Sequence, residues 1–172
     1  TDNGIPYIFL DSKIEESDSL AYFGMPMYQS GVLCADILCG GREIPEKVYV
    51  VRIARDRQGL SDPTADRRKG FMDHMSVHYP DTQIINVFIN PQDRSEIYDA
   101  LDRSIGSDAG NKFIVMFNSR IHLVADYIAE RGIRDSRVIG FDALQKNLDH
   151  LRSGYVLALV AQHTDRQAVD AV

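Results

Sequence analysis

Short runs of apolar residues alternate along the chain with longer stretches in which apolar residues recur every three or four positions. The short runs are typical of strands buried on both faces of a sheet, and the longer spacing lines one face of a helix. The predicted strands cover Ile5 to Leu10, Lys47 to Ile53, Thr82 to Ile89, Lys112 to Phe117, Arg137 to Phe141 and Tyr155 to Val160. The predicted helices cover Tyr28 to Cys39, Pro63 to Tyr79, Asp93 to Ile105, Ile121 to Arg131 and Leu144 to Leu151. This alternation predicts an α/β fold in three layers, with a mostly parallel sheet and helices on both faces.

Local residues mark several boundaries. Asp62 is placed to cap the second helix, with Pro63 at its first position, and Gly132 is a natural stop for the fourth. The polar stretch from Asp11 to Leu20 is predicted to be a surface connector. The first apolar run has no earlier strand to pair with, so we expect the chain to be part of a longer protein.

Composition narrows the possible partners. The 172 residues are 44% hydrophobic and 26% charged, enough for one domain with an apolar core. The formal charge of −6, from 19 basic and 25 acidic residues, would repel a polyanion, so this segment is not expected to bind DNA by itself. No apolar window approaches the roughly 18 to 20 residues that a membrane helix needs, and the first residues, Thr-Asp-Asn-Gly, lack the charged start and apolar core that are typical of a signal peptide.

Two residue pairs could carry chemistry, but both fit simpler explanations. Cys34 and Cys39 lie in one apolar helical stretch on different faces, which favours reduced, packed thiols and a reducing compartment. His74 and His78 are four positions apart on the second helix, a spacing that could hold a metal. Neither has an acidic or thiol companion at metal-site spacing, so a solvated helix face is the preferred interpretation and no metal is predicted.

Polar residues follow the predicted strands at the points where each strand ends. Ligands of open α/β sheets bind beyond these carboxyl ends, where the loops converge. The residues in these positions are Asp11, Arg55, Asp56, Asn90, Asn118, Asp142 and Gln162. Acids, amides and an arginine can together hydrogen-bond vicinal hydroxyl groups, which favours a sugar as ligand. The alternative is that such side chains only cap helices or begin turns, and Asn118 and Asp142 are the most open to it.

An aromatic ring near such a site could stack on the apolar face of a sugar. Phe23 is singled out among the aromatic residues because we expect the chain to cross near it from one lobe of the fold to another. Core packing is the alternative for all of these residues. The sequence has no G-x-S-x-G elbow, no phosphate-binding loop and no G-x-G-x-x-G after the first strand. We therefore predict a binding protein rather than an enzyme, with no cofactor.

Five segments in order resemble the lac repressor (LacI) family and the related periplasmic sugar-binding proteins. They are Ile5-Pro6-Tyr7-Ile8-Phe9-Leu10-Asp11, Tyr28-Gln29-Ser30-Gly31, Arg67-Arg68-Lys69-Gly70-Phe71, Phe113-Ile114-Val115-Met116-Phe117-Asn118 and Val138-Ile139-Gly140-Phe141-Asp142, with Gln162 at the position of a return-strand glutamine. The resemblance implies a two-lobed fold of the type I periplasmic binding protein kind, with an effector held between the lobes. It also implies ligand contacts from Asp11, Arg67, Asn118, Asp142 and Gln162.

The resemblance further implies a domain organisation and a set of partners. Residues 24–160 would form the C-terminal lobe, residues 1–23 a remnant of the N-terminal lobe, and residues 161–172 the crossover and the start of a return helix. The expected protein is a cytoplasmic, homodimeric transcription regulator that binds a sugar effector, and DNA only through a helix-turn-helix outside this chain. A periplasmic sugar-binding protein of a transport system is the first alternative, and an α/β enzyme acting on sugar derivatives is the second.

Overall fold

The computed structural model describes residues 8–10, 21–41, 43–54, 62, 64–107 and 110–161, and only the backbone of 8–10 and 21–23. The strands are β1 (Ile8–Leu10), β2 (Ala21–Phe23), β3 (Lys47–Ile53), β4 (Gln83–Ile89), β5 (Lys112–Val115), β6 (Ser136–Phe141) and β7 (Ala158–Val160). The helices are α1 (Met27–Cys39), α2 (Ala65–His78), α3 (Arg94–Leu101), α4 (His122–Glu130) and α5 (Gln145–Arg152), with a π-helical turn at Asp102–Gly106. The chain divides into two compact units: Thr1–Pro26 with Ala161–Val172, and Met27–Val160.

In the first unit, β1 and β2 pair in parallel with Ile8 opposite Ala21 and Leu10 opposite Phe23. The sequence pattern predicted the strand that contains β1 but gave no strand at β2. A strand of three residues is too short for its apolar and polar positions to show a period. This neighbour of β1 comes from later in the chain.

The second unit contains one parallel sheet with the strand order β4-β3-β5-β6-β7. Successive residues of a strand point to opposite faces of a sheet, so the buried side chains of β3 pack on both faces. Tyr49, Val51 and Ile53 pack in one core with side chains of α3 and α4, such as Leu101 and Val124. The residues between them, Val48 and Val50, are equally inaccessible to solvent.

Helices α1 and α2 lie on the other face. Phe71 of α2 meets Phe117, which follows β5, with ring centroids 5.4 Å apart. The thiol of Cys39 in α1 lies 3.6 Å from the sulfur of Met75 in α2. The predicted three-layer α/β fold is confirmed.

Two helix ends test the boundary predictions. Helix α4 ends as predicted, because Gly132 has a positive φ of 65°, while the N–H groups of Gly132 and Ile133 bond to the carbonyls of Ala129 and Ile128. The prediction for Asp62 is wrong: α2 begins at Ala65 after Thr64, and the Asp62 carboxylate instead accepts bonds from the N–H and hydroxyl of Thr64. Pro63 lies outside the described residues.

Two other elements are shorter than predicted. Helix α3 ends at Leu101 and continues as the π-helical turn, which the apolar spacing alone does not distinguish from an α-helix. Strand β7 begins only at Ala158, because the N–H groups of Tyr155 and Val156 bond to the carbonyl of His150 at the end of α5.

The predicted solvated helix face at His74 is also wrong. Its side chain is 12% exposed and its Nε2 lies 3.0 Å from a carboxylate oxygen of Asp36 in α1. The ring of His78 packs against it with centroids 4.3 Å apart. In the described part of the chain, no three His, Cys, Asp or Glu side chains are grouped so that they could hold a metal ion.

Candidate ligand site at the carboxyl edge of the sheet

Strands β5 and β6 lie side by side and end together. Val115 pairs with Ile139, and the N–H of Met116 bonds to the carbonyl of Ile139 across 3.1 Å. The segments that follow these strands contain Asn118 and Asp142, and both reach the same edge because parallel strands share their direction. This edge is where the fold class binds ligands.

Arg67, from the first turns of α2, is held at this edge by three different elements. Its Nη1 donates a hydrogen bond of 3.0 Å to the carbonyl of Phe117, and its Nε lies 3.2 Å from the sulfur of Met27. Its guanidinium carbon stands 4.3 Å from the centre of the Phe141 ring, a cation–π arrangement. The residue is only 7% exposed, so little of its surface is open to a ligand.

The phenyl ring of Phe141 supports this cation. It is fully buried and lies 6.1 Å, centroid to centroid, from the ring of Phe117. Stacking on a sugar is the other role open to an aromatic ring near the site. The structure instead gives Phe141 a packing role beneath Arg67, in line with the simpler interpretation.

Two glycines allow α1 to approach α2 closely enough to place Arg67. A β-carbon on Gly31 would lie 1.8 Å from the carbonyl oxygen of Arg67, and one on Gly70 would lie 2.0 Å from that of Tyr28. Side chains never approach a backbone this closely, so each position requires glycine if the helices keep this spacing. The motifs around Gly31 and Gly70 therefore serve to position Arg67.

Asn118 forms a turn directly after β5. Its side-chain oxygen accepts a hydrogen bond of 3.0 Å from the N–H of Arg120. This is the turn-forming role that was the alternative to ligand binding. The turn uses the oxygen of the side chain, so a ligand would meet its N–H groups.

Asp142 has an unusual backbone conformation at the end of β6. Among the described residues it is the only one other than glycine with a positive φ, 66°. Its N–H donates to the carbonyl of Val160 across 3.0 Å. Left-handed conformations are tolerated by aspartate but still cost free energy, and they concentrate at functional sites.

Sequence reasoning missed Asn147, a fully buried amide in α5. Its Nδ2 donates to the carbonyl oxygens of Ser119, Phe141 and Asp142, at 3.0, 3.2 and 2.9 Å. Its Oδ1 lies 3.2 Å from both the backbone nitrogen and the Nδ1 of His122. One signal could have found it: Asn147 is four positions before Leu151, so a polar residue occupies the core-facing side of this helix.

The Asn147 contacts also indicate the orientation of its own amide and the position of the proton on the His122 ring. Three carbonyl oxygens around Nδ2 identify this atom as the donor, so Oδ1 accepts and the Nδ1 of His122 carries a proton. Burial lowers the pKa of His122 below its ordinary value. The ring is therefore neutral at neutral pH.

Both cysteines are buried, as predicted. Burial raises the pKa of Cys34 to about 12, although the nearby charge of Arg67 opposes the shift. Burial likewise raises the pKa of Cys39 to about 11. Neither thiol ionises at neutral pH, so nucleophilic chemistry from these residues is not favoured.

The structure brings together Arg67, Asn118 and Asp142. Asp11 and Gln162 lie outside the described residues, and so does the side chain of Phe23, whose backbone belongs to β2 of the first unit. Their roles stay predictions. Asn90, a further strand-end residue, bonds to Gln92 and Glu96 at the start of α3.

Comparison with known families assigns the chain to a class. All of residues 1–172 match the family described as periplasmic binding protein domain, so the chain belongs to this family. No curated protein sequence matches it. Among the described helices, none is long and apolar enough to cross a membrane.

Several solved structures are similar to this chain. A candidate LacI transcriptional regulator from Bacteroides fragilis is 28% identical with a TM-score of 0.83, over 99% of this chain and 59% of that one. A carbohydrate transporter solute binding protein from Agrobacterium radiobacter, in complex with D-arabinose, is 22% identical with a TM-score of 0.78, over 97% and 58%. A glucose-galactose binding protein from Geobacillus stearothermophilus is 19% identical with a TM-score of 0.79, over 99% and 60%. The chain thus spans about three fifths of each of these structures.

Proposed function

We propose that this chain is the greater part of the effector-binding domain of a LacI-type transcription regulator, and that its effector is a sugar. The observation that carries the proposal is the meeting of Arg67, Asn118 and Asp142 at the carboxyl edge of one sheet. An arginine and an amide donate in fixed planar geometry and a carboxylate accepts, which suits a pair of neighbouring hydroxyl groups. The family of the chain is one of binding proteins, which supports a binding role rather than catalysis.

The regulator is favoured over a transport receptor by two observations. The candidate LacI regulator is 28% identical to this chain, against 22% and 19% for the two sugar-binding proteins described above. The two free, buried cysteines suit a reducing cytoplasm, where such regulators act. In the regulator, DNA would be bound by a helix-turn-helix outside this chain, since the chain itself carries a net charge of −6.

The division of the chain supports a matching domain proposal. Residues 24–160 would be one lobe of the effector domain, and residues 1–23 and 161–172 would be pieces of the other. One compact unit is built from Thr1–Pro26 and Ala161–Val172, which is what two passages of a chain through one lobe would give. In this mechanism a sugar stabilises a closed arrangement of the lobes and so changes the spacing of the DNA-binding heads in a dimer. A ligand can do this only by its difference in affinity for the two arrangements.

A periplasmic sugar receptor is the second candidate, and the transport proteins among the structural relatives favour it. The coding sequence upstream distinguishes the two. A helix-turn-helix there supports the regulator, and a secretory signal supports the receptor and overturns the regulator.

The sugar itself is tested on the full-length protein by a thermal-shift screen with D-arabinose, L-arabinose, D-glucose and D-galactose. A ligand at 100 times its Kd stabilises the folded state by about 2.7 kcal/mol, which gives a measurable increase in Tm. Calorimetry then measures the Kd of each sugar that raises the Tm. If neither these sugars nor a wider panel of pentoses and hexoses raises the Tm, the sugar proposal fails.

A further inference from the structure

The amide of Asn147 connects the two segments that carry candidate ligand contacts. It bonds to the carbonyl of Ser119, next to Asn118, and to the carbonyl of Asp142 itself. It also bonds to the carbonyl of Phe141, whose ring lies beneath Arg67. One buried side chain thus touches the backbone of both strand ends that form the site.

We propose that Asn147 is a positioning residue of the ligand site, whose amide holds the segments after β5 and β6 in the arrangement that binds a sugar. This inference rests on the proposed function, because it assigns a role within the same site. Asn147 would not itself touch the ligand. It would act through Asp142, whose carbonyl oxygen it bonds.

Leucine, aspartate and glutamine, the closest to asparagine in volume or chemistry, each fail to supply the contacts of this amide. Two N–H donors serve three carbonyl oxygens while the side-chain oxygen accepts from the backbone N–H of His122. Leucine has a similar volume but no donor, and aspartate presents a second set of acceptors to the carbonyl groups. Glutamine is longer by one methylene in a site with no exposed surface.

The backbone of Asp142 explains why the contact affects binding as well as folding. A residue with a positive φ persists only when its surroundings impose it. Two bonds help to impose it here: the N–H of Asp142 donates to the carbonyl of Val160, and the carbonyl of Asp142 accepts from the amide of Asn147. Loss of the Asn147 bond would let Asp142 relax to an ordinary conformation and move its carboxylate.

A double-mutant cycle on sugar affinity tests the proposal in the full-length protein. The variants are Asn147→Leu, Asp142→Asn and the double variant, and calorimetry measures the Kd of the sugar that binds the unsubstituted protein most tightly among D-arabinose, L-arabinose, D-glucose and D-galactose. If Asn147 acts through Asp142, Asn147→Leu weakens binding about 10-fold or more alone, but less than about 3-fold when Asp142→Asn is already present. Asp142→Asn is used because asparagine tolerates the left-handed conformation, so binding stays measurable.

Tyr127→Phe is the matched control. Tyr127 is also fully buried, but its hydroxyl donates to Asp102 across 2.9 Å and its ring meets Tyr98, both away from the strand-end segments. We expect Tyr127→Phe to lower the Tm without weakening sugar binding. Should Tyr127→Phe weaken binding as much as Asn147→Leu, loss of stability alone would account for the effect and the positioning role would be overturned.

The remaining outcomes separate this inference from the proposed function. If the unsubstituted protein binds sugar and the two losses simply multiply in the double variant, Asn147 has no positioning role while the sugar site stands. If the unsubstituted protein binds neither these four sugars nor any of the wider panel of pentoses and hexoses, the proposed function fails and this inference fails with it. If Asn147→Leu does not fold, Asn147→Ser replaces it in the cycle, because it retains one hydroxyl donor, and the same two results decide.

Discussion

The backbone of Gly31 in α1 lies directly against the carbonyl group of Arg67 in α2, so close that a β-carbon would come within 1.8 Å of the oxygen. The contact joins two short motifs that are well separated in the sequence. The position of Arg67 in the site therefore depends on the absence of a side chain at Gly31.

Gly31→Ala is therefore expected to weaken both the fold and the site. The added methyl group must push α2 away, which typically costs about 1 to 3 kcal/mol, and Arg67 moves with its helix. We expect a lower Tm by thermal unfolding and a sugar affinity reduced about 10-fold or more by calorimetry. Leu101→Ala, in the core on the other face of the sheet, should lower the Tm at least as much and leave affinity unchanged; equal losses of affinity in both variants would contradict the role of Gly31.

Arg67→Ala in the full-length protein should abolish the response to effector and leave operator binding without effector intact. A hydrogen bond from a charged group contributes about 1.5 to 3 kcal/mol, so sugar affinity should fall about 10- to 100-fold. Arg67→Lys should restore little of it, because an ammonium group cannot both stack on Phe141 and donate to Phe117 in one plane. Operator release is measured by fluorescence anisotropy with increasing sugar.

The control for Arg67→Ala is Arg94→Ala, since Arg94 is 69% exposed and pairs with Glu130 at the surface. It should respond to effector normally. A normal response from Arg67→Ala itself would show that the site has been assigned wrongly.

Asp142→Gly should separate stability from binding. Glycine adopts a positive φ at no steric cost, so we expect the free energy of unfolding to change by less than about 1 kcal/mol, while sugar affinity falls with the loss of the carboxylate. Asp142→Val should lower both the free energy of unfolding and the sugar affinity. A β-branched residue at this φ costs about 1 to 3 kcal/mol, and the carboxylate is lost as well. Chemical denaturation and calorimetry measure the two quantities.

Gly132→Ala supplies the comparison for Asp142, because Gly132 has almost the same φ, 65°, at the end of α4. It should lower stability and leave affinity unchanged. Unaltered sugar binding by Asp142→Gly would remove Asp142 from the site.

The two cysteines should resist alkylation at pH 8. Their pKa values in the folded protein are about 12 and about 11, so folding favours the thiol and opposes the reactive thiolate. Because folding raises both pKa values, the protonated thiols contribute fully to the stability of the fold below the pKa of the unfolded chain, near 9.0. This contribution is lost as the pH rises towards the folded-state values. Mass spectrometry after iodoacetamide treatment should find adducts in urea only; adducts formed at pH 8 under native conditions would contradict the burial of these side chains.

The chain of residues 1–172 by itself should bind sugar weakly or not at all, because it spans only about three fifths of its structural relatives. Calorimetry with the same sugars compares it with the full-length protein. Tight binding by the shorter chain would contradict the proposal that part of the site lies outside it.

The sheet and its helices could be predicted because their signals are local. Strands such as β3 are continuous apolar runs, and α4 repeats its apolar residues at helical spacing and ends at Gly132. Strand β2 could not be predicted, since three residues paired to a distant segment carry no period. The mistaken cap at Asp62 has a partly local cause: its carboxylate bonds to Thr64, two positions on, and it also pairs with Arg52 and Arg68 from two different elements.

The candidate site could be predicted only in part. Strand order brings Asn118 and Asp142 together, and this order follows from the fold class. The stacking of Arg67 on Phe141 and the reach of Asn147 across two segments are long-range contacts with no local signature. The clue at Asn147, a polar residue among core positions, identifies a buried amide but not the groups it bonds.

The division of the chain into two units also bears on the order in which it folds during synthesis. The unit of Met27–Val160 is continuous in sequence, whereas the other draws on Thr1–Pro26 and on Ala161–Val172. A ribosome therefore synthesises every residue of the continuous unit before it makes the last part of the divided one. We expect the parallel sheet to form first, and β1 and β2 to wait for a segment that emerges after it. A variant that slows folding of the sheet would thus lengthen the time for which an incomplete unit is exposed to proteases and chaperones.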